Sequence, residues 1–196
     1  PIPTDASSAA YLWAGAAVSE GGRITVSGFD PEWPQADLVV LDLLEAWGAT
    51  VSRRSGRATV SAGERRPIRF DLTRAPDLLP LAGVLAALAP GRSLLSGAAH
   101  AAFKESDRRV ATARLARALG ARVRRTPSQI AIVGRVPPRS LRLTDLTDHR
   151  LLLSGLVAAL ALREPSVLGP AEAADKSFPT FREVFGSAGA RLEKVR

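Results

Sequence analysis

The stretch Asp77-Leu-Leu-Pro-Leu-Ala-Gly-Val-Leu-Ala-Ala-Leu88 runs through Ala89-Pro90-Gly91 into Arg92-Ser-Leu-Leu-Ser-Gly97, and it decides the fold because its pattern occurs twice more. An acid precedes an apolar helix at residues 78–88, and a Pro-Gly turn leads to a short strand at 92–97. Upstream, Asp5 precedes a helix at 9–18 and a strand at 23–28; downstream, Asp148 precedes a helix at 151–162 and a strand at 166–169. The three acids lie 72 and 71 residues apart, and the glycines that end the strands, Gly28, Gly97 and Gly169, lie 69 and 72 apart. A shared period of about 70 residues marks an internal repeat.

A second, more polar helix follows each strand, at 36–47, 107–119 and 181–188, with apolar residues at helical spacing. Each ends at a Gly-Ala pair, Gly48-Ala49, Gly120-Ala121 and Gly189-Ala190. A glycine just past the last turn takes the left-handed conformation and stops a helix. Strands at 50–54 with 57–61, and at 122–125 with 129–133, complete the first two units, with further extended segments at 68–72 and 140–143. The unit therefore reads β-α-β-α-β-β, twice in full and once truncated. One α/β (α+β) domain over residues 1–196 is expected, in three repeats of about 1–72, 73–143 and 144–196. A short third unit leaves a sheet edge to be covered, so the chain is expected to be part of something longer.

Composition sets the outer limits. The 196 residues include 27 basic and 19 acidic side chains, a net charge of +8, two histidines, and neither cysteine nor methionine. With 46% hydrophobic and 23% charged residues the chain has globular composition. Its longest apolar run, near 151–162, is too short to cross a bilayer and is interrupted by Ser154-Gly155, and no signal-like segment opens the chain. A cytoplasmic protein without membrane contact is expected. Thiolate and three-histidine metal sites are excluded, and no metal or cofactor is expected. The positive excess favours an anionic partner. Of the 27 basic residues only Lys104, Lys176 and Lys194 are lysine, which singles them out where a compact, titratable ammonium is wanted.

Four polar clusters interrupt the apolar pattern. In His100-Ala-Ala-Phe-Lys104-Glu105-Ser106-Asp107-Arg108, helical spacing would set Lys104 and Arg108 on one face toward one anion, with Glu105 beside them for proton transfer. In Thr147-Asp148-His149-Arg150, Thr147 or Asp148 caps a helix whose first turn carries Arg150, a bidentate fork for phosphate or carboxylate. Lys176 stands in Asp175-Lys176-Ser177-Phe178-Pro179, where Pro179 is read as the start of the last helix, and Asp77 follows Pro76 at the head of an apolar one. Taken singly, each has a plainer reading: a capped, solvated helix start for three of them and a solvated loop lysine for Lys176. If the units pack about a threefold-like axis, Asp77, Glu105, Arg108, Arg150 and Lys176 gather at one surface, a pocket for an anion-rich substrate with two carboxylates for proton transfer.

The residues Asp5-Ala-Ser-Ser-Ala-Ala-Tyr11, Ala75-Pro-Asp77-Leu-Leu-Pro80, Lys104-Glu-Ser-Asp-Arg108, Asp148-His-Arg150 and Lys176-Ser-Phe-Pro179, in this order and spacing, resemble the 5-enolpyruvylshikimate-3-phosphate synthase family over essentially the whole chain. The resemblance implies an inside-out α/β barrel, the C-terminal-half domain of a two-domain enolpyruvyl transferase. It implies transfer of the enolpyruvyl group of phosphoenolpyruvate to the 5-hydroxyl of shikimate 3-phosphate, without a cofactor and without nucleic acid, and a partner in the missing N-terminal half. By the same resemblance Asp77 is the proton acceptor at the shikimate hydroxyl and Glu105 moves the proton at the methylene carbon. His100 and Lys104, with Asp77, would contact shikimate 3-phosphate. Arg108, Arg150 and Lys176 would surround phosphoenolpyruvate, and His149 would support. Ala101-Ala102 and Thr4 depart from the family pattern. A UDP-N-acetylglucosamine enolpyruvyl transferase and an RNA-binding basic module are the alternatives; the latter lacks an aromatic stripe for base stacking.

Overall fold

The computed structural model describes residues 2–30 and 32–194. In chain order, the first unit holds α1 (Ala6–Val18), β1 (Arg23–Ser27), α2 (Val40–Trp47), β2 (Thr50–Arg54) and β3 (Arg57–Ser61). The second holds β4 (Arg69–Asp71), α3 (Leu79–Leu88), β5 (Gly91–Ser96), α4 (Arg108–Ala118), β6 (Arg122–Arg125) and β7 (Gln129–Gly134). The third holds β8 (Arg142–Leu143), α5 (His149–Leu160), β9 (Val167–Leu168) and α6 (Phe181–Ser187).

Strand pairing moves the boundaries between units. The segments read from sequence as the ends of units one and two open the next unit instead. β4 runs parallel to β5, with Arg69 opposite Leu94, and β8 runs parallel to β9, with Arg142 opposite Val167. Each is the first strand of a β-α-β crossover, which parallel pairing requires. Among the described residues only the middle unit therefore shows all six elements. Its sheet has the order β4-β5-β7-β6, beside a three-stranded sheet β1-β3-β2 and the pair β8-β9.

Helices α1, α3 and α5 form the core, and the sheets lie outside them. Every residue of α3 is buried, as are nine of the thirteen in α1 and the run from Leu151 to Ala158 in α5. A helix apolar on all sides has no solvent face to offer. Their alanines and glycines let neighbours approach closely: a Cβ placed on Gly83 would lie 2.2 Å from Thr112 Cγ2 on α4. Two tryptophans lock layers together by polar tips. Trp47 Nε1 donates to Leu85 O at 2.7 Å, joining α2 to α3, and Trp13 Nε1 donates to Ala58 O at 3.2 Å, joining α1 to β3. The predicted glycine stops are present, with Gly48, Gly120 and Gly189 at φ of 108°, 84° and 98°. The last helix begins at Phe181, not at Pro179.

The outer face of the four-stranded sheet carries much of the positive excess. Register places Arg92 and Arg122 either side of Val133, and Arg69 and Arg124 either side of the Leu94–Ala131 pair, all four exposed. Among the described residues none of the four has a carboxylate partner within ion-pair distance.

Candidate active site

Carboxylates and cations from four segments of the chain meet where the inner helices begin. Arg108 stands at the centre. The carboxylate of Asp107 caps α4 by accepting from the N–H groups of Arg109 and Val110, which fixes the first residue, Arg108, so that its side chain turns inward and is 1% exposed. Its Nε donates to Asp148 Oδ2 at 2.8 Å and its Nη2 to Asp148 Oδ1 at 3.2 Å. The same Nη2 donates to Glu105 Oε2 at 2.6 Å, and Nη1 to Asp77 Oδ1 at 2.7 Å. Four of the five guanidinium N–H bonds are thereby used, leaving one on Nη1.

Asp77 is the second hub. Lys104 Nζ lies 3.2 Å from its Oδ1, and Arg150 Nη2 lies 3.3 Å from its Oδ2, so three cations hold one carboxylate. Lys104 reaches it from an extended backbone, with φ −96° and ψ −163°, before the helix begins. Helical spacing with Arg108 is thus not what brings the two together; their common partner Asp77 is. Arg150, 13% exposed, also places Nη1 3.3 Å from Asp37 Oδ2. Burial works against its charge, and the neighbouring carboxylates of Asp77 and Asp37 restore it, raising its pKa above the ordinary arginine value. Burial pushes the Tyr11 phenol well above its ordinary range, so it stays protonated beside Arg150.

Asp148 caps α5 through the N–H of Arg150 at 2.9 Å and accepts from Ser106 Oγ at 2.9 Å. Burial opposes its ionisation, yet the Arg108 guanidinium and these two donors prevail and hold its pKa below the usual carboxylate value. Next to it, burial lowers the pKa of His149, which is thus a neutral imidazole near pH 7. Among the described residues its Nδ1 has no hydrogen-bond partner, and it lies 3.7 Å from Glu105 Oε1.

Of the residues singled out in the sequence, Asp77, Lys104, Glu105, Arg108, His149 and Arg150 are brought together. His100, exposed in the 3₁₀ turn Ala99–Phe103, and Lys176, exposed at the end of the turn Ala171–Lys176, have no hydrogen bond or ion pair to this cluster among the described residues. Ser177, next to Lys176, does line a hollow of about 20 Å³ with Ser7, Tyr11, His149 and Arg150. A larger cavity of about 190 Å³ lies behind Asp148, between Leu115, Asp145 and Leu151, away from Asp77 and Lys104. Asp37 and the structural weight of Asp148 were missed. An aspartate two residues after Gln35 in an ordinary helix start carries no local sign of a partner 113 residues away.

The cluster sets four carboxylates, Asp37, Asp77, Glu105 and Asp148, against the cations Lys104, Arg108 and Arg150. The excess of +8 therefore does not reside here but on surfaces such as the outer sheet face.

The family model for EPSP synthase (3-phosphoshikimate 1-carboxyvinyltransferase) matches residues 1–185. The chain belongs to the EPSP synthase family. Among curated members, the 3-phosphoshikimate 1-carboxyvinyltransferase of Methanocorpusculum labreanum is 37% identical over 190 residues, covering 97% of this chain and 44% of that protein. The Pyrococcus abyssi enzyme of the same name is 33% identical, covering 92% and 43%. The solved EPSP synthase from Acinetobacter baumannii superposes on the whole chain and 48% of its own, with a TM-score of 0.85 and 27% identity. The enolpyruvyl transferase NikO from Streptomyces tendae, at TM-score 0.73 and 23% identity, shares the fold over 98% of this chain. The chain spans somewhat under half the length of these EPSP synthase relatives. Among the described residues no helix is long and apolar enough to cross a membrane.

Proposed function

We propose that this chain supplies the C-terminal-half domain of a cytoplasmic 3-phosphoshikimate 1-carboxyvinyltransferase. It acts with a second domain, contributed by the remaining length of its relatives, on shikimate 3-phosphate and phosphoenolpyruvate. The observation that carries the reading is that Asp77 and Glu105 sit on adjacent nitrogens of one buried guanidinium, at 2.7 and 2.6 Å. Two carboxylates held so close suit two proton transfers on one small substrate.

The 5-hydroxyl oxygen bonds to C2 of phosphoenolpyruvate as its proton passes to Asp77, and Glu105 delivers to C3 a proton that it has taken from solvent. This forms the tetrahedral intermediate. Glu105 then takes a proton back from C3 as the C2–O bond to phosphate breaks, and the departing phosphate carries off the proton held by Asp77. Lys104 and His100 contact the shikimate phosphate substrate, while Arg108, Arg150 and Lys176 offset the charge of phosphoenolpyruvate and of the leaving phosphate. His149 supports Glu105. Before substrate arrives, Asp77 screens Lys104 and Arg150, and an anion entering the site competes with it for them.

The test is phosphate release from shikimate 3-phosphate and phosphoenolpyruvate by this chain alone and by the chain combined with the complementary half of a curated relative. Turnover by the combination that is lost in Glu105→Gln supports the proposal. Folded protein with no turnover in either form, or turnover on UDP-N-acetylglucosamine instead, contradicts it.

A further inference from the structure

We propose that Asp37 is a positioning residue that sets the orientation of Arg150 toward the substrate anion, an inference that rests on the enolpyruvyl transfer reading above. Asp37 lies in the 3₁₀ turn Ala36–Val39, far in sequence from every residue assigned a role, and its side chain is 11% exposed. Two donors converge on its Oδ2: Ser7 Oγ at 2.6 Å and Arg150 Nη1 at 3.3 Å. A buried carboxylate needs such partners, and a charged donor among them is the strongest.

The turn is itself fastened in place. Gln35 Oε1 accepts from Ala6 N–H at 2.8 Å, and Gln35 Nε2 donates to Thr4 O at 2.8 Å. Thr4 in turn donates through Oγ1 to Ser27 O at 2.7 Å, so the entry to α1 and the end of β1 both hold the segment that carries Asp37. Asp37 is therefore a fixed post and Arg150 a side chain leaning on it.

The consequence for Arg150 follows from its fork. With Nη1 anchored on Asp37, rotation of the guanidinium plane is restricted and Nη2 is left aimed at Asp77 Oδ2, at 3.3 Å, on the substrate side. Without the anchor the whole guanidinium can swing onto Asp77, its remaining acidic partner. The anion would then have to displace an arginine better paired with Asp77.

The experiment compares Asp37→Asn, Arg150→Lys and the double variant in the active combination of this chain with its complementary half. Asp37→Asn is expected to lower kcat/KM for phosphoenolpyruvate roughly tenfold, mainly through KM, with KM for shikimate 3-phosphate unchanged. In the Arg150→Lys background the same change is expected to cost less than about twofold, because the fork it positions is gone. Ser7→Ala, which spares the charge, should act in the same direction more weakly, and it replaces Asp37→Asn in the comparison if that variant does not fold. An equal cost in both backgrounds would show a merely structural role and overturn the proposal. So would a lowered KM for phosphoenolpyruvate, which would make Asp37 a counter-charge. Side-chain nitrogen NMR of this chain alone separates this inference from the reading beneath it. The Arg150 signal, assigned by its loss in Arg150→Lys, should show restricted rotation in the parent chain and averaging in Asp37→Asn. An unchanged signal rejects the positioning role, whereas absent turnover in the parent rejects the assigned reaction.

Discussion

Arg108 and Asp148, 40 residues apart and each 1% exposed, face one another through two hydrogen bonds, Nε to Oδ2 at 2.8 Å and Nη2 to Oδ1 at 3.2 Å. The pair joins the first residue of α4 to the cap of α5, and so places the arginine that holds Asp77 and Glu105 relative to the helix that carries Arg150. Structure and proposed chemistry depend on the same contact.

Breaking that contact from one side should be costly. Arg108→Met leaves Asp148 buried with only Ser106 and the Arg150 N–H as donors, and leaves Asp77 and Glu105 without their shared cation. A loss of about 3–5 kcal/mol is expected in chemical denaturation. Asp148→Asn keeps a good capping side chain and should lose distinctly less. Equal stabilities for parent and Arg108→Met would show that the guanidinium contributes nothing to the fold.

Stability should depend on pH in two separate windows. His149 has a lowered pKa in the folded chain, so below its ordinary value of 6.5 the unfolded chain binds a proton that the folded chain does not. Stability attributable to His149 is therefore complete above that value and falls as pH drops below it, by at most about 1.4 kcal/mol per pH unit. Asp148 is also lowered, from 3.8, so its contribution is retained above that value and lost at still lower pH. Denaturation midpoints measured between pH 7 and 5 should fall in the parent and stay flatter in His149→Gln. Identical slopes would contradict the buried, neutral imidazole.

Gly48 should not tolerate a side chain. It ends α2 at φ 108°, and a Cβ there would stand 1.8 Å from Glu64 O, a backbone atom that cannot swing away. Gly48→Ala is expected to cost more than the roughly 1–2 kcal/mol of left-handed strain alone. Gly189, at φ 98° with nothing within 4 Å of a built Cβ, should lose only the strain. Thermal unfolding of the two variants reads the difference directly.

These cases show what the sequence makes legible. The hairpin strands at 50–54 and 57–61 match their predicted bounds because alternation and a Ser-Gly turn are local signals, and the glycine stops are equally local. The assignment of β4 and β8 to the following units was not legible, because a short extended segment does not say which sheet it joins; parallel pairing with β5 and β9 decides that. Lys104 was placed beside Arg108 by helical spacing, whereas the chain there is extended and the two meet through Asp77. Asp37 gave no signal at all, since its partner is supplied by tertiary packing alone. Apart from Asp37, the residues of the candidate cluster could be named from short motifs, but the fact that its cations already face carboxylates required the fold.

Removing one screening cation should separate binding from proton transfer. Lys104→Ala keeps Arg108 and Arg150 on Asp77 and removes an ammonium that is 36% exposed. The expected result in the active combination is a rise in KM for shikimate 3-phosphate of about tenfold or more, with KM for phosphoenolpyruvate changed less. The opposite order would move Lys104 to the other substrate.

The central claim, that Glu105 moves the proton at C3 of phosphoenolpyruvate, is tested most directly by running the reaction in deuterium oxide and following deuterium in the methylene group of the product and of recovered phosphoenolpyruvate. The account predicts incorporation by the parent combination and its loss, by at least about a hundredfold in rate, in Glu105→Gln, with folding retained. Incorporation at the parent rate in Glu105→Gln would assign that proton to another group and contradict the account.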